Sequence, residues 1–213
     1  MYYHGNHLPH LHPPGYPLFI TARLSGSLPA VVLGDLYHAA QEAERAAEVV
    51  DDVELAARLR LAARRHYLAA LERHLDHGDE GARWLGQSAI SKLVLDALHT
   101  QQQQGHYQLL AACVMSNHLH VVLVLAPEPQ RSFFQVWADF KRFTGRKANT
   151  ILGRTGDFWE SESYDHVVRN GDTGLAQAIR YTACNPVKAG LVRSWAAWPG
   201  TWVAPAWHSA LTL

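Results

Sequence analysis

The chain has 213 residues, a formal net charge of zero, a hydrophobic fraction of 48% and two cysteines. That length suits one domain, or one domain carrying an insertion, and two cysteines exclude a disulfide framework, so Cys113 and Cys184 read as buried thiols. No apolar run reaches the roughly 18 residues of a membrane span, and Met1-Tyr2-Tyr3-His4-Gly5 lacks the basic-then-apolar order of a signal peptide, which predicts a soluble cytoplasmic protein.

A neutral total argues against a bulk polyanion binder, but the charge is unevenly spread. Asp35 to Glu80 holds eleven acids and six bases. Lys141, Arg142, Arg146, Lys147 and Arg154 fall in one stretch without an acid, and a phosphate backbone responds to such a local patch rather than to the average.

Residues 1–15 place His4, His7, His10 and His12 among proline and glycine and read as an irregular N-terminal arm. Tyr16 to Leu24 is a first strand, ended by Ser25-Gly26-Ser27-Leu28-Pro29. From about 35 to 80 the chain is rich in Ala, Leu, Glu and Arg, which predicts a helical insertion of one or two helices, broken near Val50-Asp51-Asp52. A helix capped by Ser88 follows, with Ile90, Leu93, Val94, Ala97 and Leu98 on its apolar side and Gln101 to Gln104 as a frayed end or loop.

His106 to Val114 is the next strand. Ser116-Asn117 forms a turn or bulge into His118 to Leu125, whose Val and Leu content and flanking prolines mark a buried strand. Phe133 to Ile151 is helical, and Tyr164 to Arg169 is a short strand. Asn170 to Thr173 turns into a helix from Gly174 to Asn185 that Pro186 stops, and 193–213 is a tail rich in Trp and Pro. The order predicts an α+β, ferredoxin-like (split βαβ) antiparallel sheet over 16–192, with helices on one face and the insertion after the first strand.

Side chains alternate along a strand, so His118 and His120 point the same way with Leu119 turned into the core. Two imidazoles on a rigid strand begin a divalent metal site, although a buried structural pair fits the same pattern. A metal would require an oxygen donor from elsewhere. Tyr181 and Asn185, one turn apart on the last helix with Gln177 a turn earlier, present a phenol and an amide oxygen on one stripe. Alone, Tyr181 is more often a half-buried core tyrosine and Asn185 ordinarily a helix stop.

Four blocks then stand in order: Val114-Met115-Ser116-Asn117-His118-Leu119-His120-Val121; Phe140-Lys141-Arg142-Phe143-Thr144; Phe158-Trp159 with Ser163-Tyr164-Asp165-His166; and Ile179-Arg180-Tyr181-Thr182-Ala183-Cys184-Asn185-Pro186-Val187-Lys188-Ala189-Gly190-Leu191. This order resembles that of the REP-associated tyrosine transposases, single-tyrosine members of the HUH transposases. The resemblance implies His118 and His120 as metal ligands, Asn185 as the third ligand, Tyr181 as nucleophile and Mg²⁺ or Mn²⁺ as the ion. It also implies single-stranded DNA folded into a REP-type hairpin as substrate, cut through a 5′-phosphotyrosine, with the protein a monomer or homodimer. Lys141, Arg142, Arg146, Lys147 and Arg154, with Arg180 and Lys188 beside the tyrosine, are the candidate DNA contacts. Phe158, Trp159 and Tyr164 are candidates for base stacking, against the commoner role of core aromatics. Two rival readings use the same fold: a non-catalytic DNA- or RNA-binding module, and a metal-dependent phosphodiesterase that uses water.

Overall fold

The computed structural model describes residues 2–4, 9–77, 80–169 and 171–211. The chain divides into two units, Met1–Ser25 with Arg83–Leu213, and Gly26–Ala82. The elements run β1 (Tyr2–His4), β2 (Pro9–Leu11), β3 (Pro17–Arg23), α1 (Ala30–Glu48), α2 (Val53–His77), α3 (Ser88–Gln103), β4 (Tyr107–Val114), β5 (His118–Leu125), α4 (Phe133–Leu152), β6 (Tyr164–Val167), α5 (Gly171–Lys188) and β7 (Thr201–Val203). Short 3-10 turns lie at Trp84–Gly86, Trp195–Ala197 and Pro205–Leu211. Among the described residues no helix is long and apolar enough to cross a membrane.

In the first unit β6, β3, β5, β4 and β7 form one sheet in that order, every neighbouring pair antiparallel. Leaving out β7, the order is that of a split βαβ unit, with β3 and β5 in the middle. Central strands are buried on both faces, which is why His118–Leu125 is apolar at both parities apart from its two histidines. Tyr107 stands opposite Leu125 on β4; its hydroxyl donates to Leu98 O on α3 (3.0 Å) and its ring meets Phe133 of α4. Helices α3 and α4 therefore take the face of Leu119, Val121, Leu123 and Leu125, as the one-sided helix layer requires. Helix α5 lies on the opposite face, where Ile179 and Ala183 pack with Phe19, Ala111 and Val122. Nothing in the helix's own periodicity places it there, because an amphipathic stripe fits either face of a sheet.

Two further features differ from the expectations. The arm is not irregular throughout, since β1 and β2 pair antiparallel and half-buried His12 bonds the buried carboxylate of Asp165 on β6; His7 lies outside the described residues. Helix α5 does not stop at Asn185, for Pro186 is buried inside its last turn. A proline there removes one N–H, the one that would reach Thr182 O, and near a helix end the loss is small. The stop comes at Gly190 (φ +72°), where Gly190 N donates to Val187 O (3.0 Å) and Leu191 N to Pro186 O (2.9 Å), a Schellman closure that glycine permits.

The second unit is a pair of helices packed on each other. Asp52 sits in the break between them and caps α2, its Oδ1 accepting from Glu54 N (2.9 Å) and Leu55 N (3.0 Å). Leu28, Leu71 and Leu75 form its small core with Leu33, Leu36 and Tyr67 against them. Its ends are tied by Ala82 N donating to Gly26 O (2.9 Å). Gly81 (φ +92°) is required beside that bond, because a Cβ there would lie 2.6 Å from Gly26 O.

Candidate active site

His118 and His120 are fully buried on the α5 face of β5, with Nε2 atoms 3.0 Å apart and rings edge to face. Each ring is held by a second group. Asn117 Oδ1 lies 2.7 Å from His118 Nδ1 and, being an amide oxygen, accepts; the His118 proton is therefore on Nδ1 and Nε2 carries a lone pair. His120 Nδ1 meets Thr21 Oγ1 at 2.9 Å, and Asn185 Nδ2 donates to His120 Nε2 at 3.3 Å. Thr21 stands directly across β3 from His120. Burial above all holds the His120 imidazole well below its ordinary range, so the ring is neutral.

This arrangement puts two imidazole lone pairs face to face in a dry environment, a repulsion that a shared cation removes. Asn185 is fully buried and its Oδ1 has no hydrogen-bond partner among the described residues. An amide turned the other way exchanges Nδ2 for Oδ1 at the same place. Two imidazole nitrogens and an amide oxygen, each imidazole fixed from behind, fit a divalent ion. The donor set holds no carboxylate, and among the described residues no group of three or more His, Cys, Asp or Glu could hold a metal.

Tyr181 reaches the same place from α5. Its ring is half-buried, 5.6 Å from the His120 ring and 5.8 Å from Phe19, both edge-on, and Lys188 Nζ lies 5.3 Å from its centroid. His118, His120, Tyr181 and Asn185 are thus brought together, with Lys188 exposed at the rim. Sequence reasoning missed Thr21, Asn117 and Phe19. Asn117 had a signal, being the polar residue next to the first histidine, whereas Thr21 is known only through strand register.

The basic segment is less uniform than its composition. Lys141 Nζ donates to Glu160 O (3.1 Å) and Ser161 O (2.6 Å), and burial lowers its pKa. Arg142 pairs with Asp139 (2.6 Å). Arg154 lies over the Trp84 ring at 3.9 Å and donates to Asn149 Oδ1 (2.6 Å). Arg146 and Lys147 are exposed and have no such partner among the described residues. Phe158, Trp159 and Tyr164 are buried, and Trp159 Nε1 donates to Thr144 Oγ1 (2.9 Å), so these aromatics are core rather than stacking surfaces.

An antiparallel α+β sheet layered by α3 and α4, with a tyrosine helix across two buried strand histidines, is the class that fold and site define. A solved structure of a REP-associated tyrosine transposase bound to a REP hairpin has a similar fold: TM-score 0.52 and 15% identity, covering 90% of this chain and 79% of that one. No protein-family model matches the chain, and no curated protein matches it.

Proposed function

We propose that this protein nicks and rejoins single-stranded DNA folded into a REP-type hairpin, with Tyr181 as nucleophile and His118, His120 and Asn185 as ligands of Mg²⁺ or Mn²⁺. The observation that carries the reading is the meeting of α5 and β5. The Tyr181 ring is 5.6 Å from His120, and the Asn185 amide reaches the same His120 Nε2 that faces His118. That the similar fold is one bound to a REP hairpin supports the substrate class. When bound, the ion supplies positive charge that polarises the scissile phosphate and steadies the departing 3′-oxygen.

The chain's own residues do the rest. Tyr181 Oη bonds to phosphorus as the bond to the 3′-oxygen breaks. The phenol proton is lost to solvent, and the 3′-oxygen takes up a proton to leave as a hydroxyl. The phosphate becomes a 5′-phosphotyrosine, which a DNA 3′-hydroxyl attacks in the reverse sense to join strands. Lys188 places an ammonium beside this charge, and Phe19, touching both His120 and Tyr181, fixes their spacing.

The test is incubation with labelled hairpin DNA and Mn²⁺, read on a denaturing gel. A covalent adduct is expected from the native protein and from neither Tyr181→Phe nor His120→Ala. Cutting without an adduct would mean water is the nucleophile; binding without cutting would leave a DNA-binding module.

A further inference from the structure

We infer that the open groove between the start of α5 and the C-terminal 3-10 turn is a subsite for one unpaired, amino-bearing nucleobase next to Tyr181. The inference deepens the proposed function and rests on it for the identity of the ligand as single-stranded DNA. The groove has a volume of about 440 Å³, enough for one nucleotide. One wall is Trp207, half-buried and packed against the core cluster that contains Ile179 and Ala183, so its indole is anchored rather than swinging in solvent. Ala176 and Ala210 keep the space open.

The polar lining is Gln177, Arg180, Asp172 and Thr173, and the first three side chains have no hydrogen bond or ion pair among the described residues. An aromatic wall binds the π-face of any base. The Gln177 amide offers a donor and an acceptor to a base edge, and Arg180 suits a phosphate. The Asp172 carboxylate accepts only, so it favours a base with an exocyclic amino group and disfavours thymine. Position follows from the helix: Gln177 is one turn before Tyr181 on the same stripe, a rise of about 6 Å. A strand whose scissile phosphate lies at Tyr181 carries its neighbouring nucleotide along α5 into this groove.

Fluorescence anisotropy tests this with short labelled oligo-dA and oligo-dT and an all-abasic strand of equal length. Trp207→Ala should weaken oligo-dA binding about ten-fold and leave the abasic strand unaffected, while Trp207→Phe, which keeps a stacking ring, stays within about three-fold of the native protein. Asp172→Asn should narrow the preference for oligo-dA over oligo-dT. Thermal unfolding of both Trp207 variants separates lost stacking from lost fold. Equal binding by Trp207→Ala and native protein would overturn the subsite, as would an equal loss on the abasic strand or free dAMP binding as tightly as oligo-dA. If those results, or native protein binding no oligonucleotide, came with an intact Tyr181 adduct on hairpin DNA, only the subsite would fall; loss of the adduct on hairpin DNA would remove the proposed function with it.

Discussion

Asn185 is the donor that sets the character of the candidate metal site. With two neutral imidazoles and a neutral amide, the protein contributes no negative charge, so an ion held there relies on the DNA phosphate for charge balance. Affinity for the ion should then rise when DNA is present. Asn185→Asp adds the missing charge at almost unchanged size, and Mn²⁺ binding followed by electron paramagnetic resonance should tighten about ten-fold. An unchanged affinity would put Asn185 outside the ligand set. At this scale much was legible: strand alternation paired His118 with His120, and helical spacing paired Tyr181 with Asn185. That the two pairs face each other was in neither periodicity. It depended on the order of four motif blocks, and Thr21 stayed hidden because its bond to His120 spans 99 residues.

Elements explain why the histidine strand is rigid. Strand β7 borders β4, Thr201 opposite Cys113, and Cys113 in turn stands opposite His120 on β5. This edge strand is only three residues long, too short for alternation to reveal, and the tail carrying it was readable merely as rich in Trp and Pro. Its attachment depends on close backbone approach. Val114 N donates to Gly200 O (2.8 Å), Trp198 Nε1 donates to Val114 O (2.8 Å), and a Cβ on Gly200 would lie 2.4 Å from that same Val114 O. Gly200→Ala should therefore push β7 off the sheet and cost about 1–3 kcal/mol of unfolding free energy, measured by chemical denaturation. Amide exchange at Val114 should speed up with it. Native stability in this variant would mean the tail is held by its tryptophans and not by the ladder.

For the whole molecule the question is how a chain of zero net charge would hold DNA. Counting Lys141 to Arg154 finds five bases and no acid, but acceptors from outside that window meet three of them: Asp139 with Arg142, the Glu160 and Ser161 carbonyls with Lys141, and Asp157 O with Arg154. Sequence windows do not contain such partners, which is why the segment read as more basic than its surface is. Arg146 and Lys147, exposed and without such partners among the described residues, lie on the basic half of α4. There Gly145 packs on Phe158, whose carbonyl accepts from Ser25 N, while Leu24 N donates to Asn117 O. They therefore stand at the end of the sheet where the histidine strand begins, although α4 and α5 cover opposite faces. DNA held at Tyr181 would meet them only by passing around that end. Neutralising one phosphate contact changes the salt slope by roughly 0.7–0.9, so Arg146→Gln with Lys147→Gln should flatten the dependence of hairpin affinity on salt by about 1.5. Lys141→Met should leave that slope alone and lower stability, because it strips two carbonyls of their shared donor. Affinities measured across a series of KCl concentrations decide the matter: a slope untouched by the double substitution would mean that DNA never reaches α4.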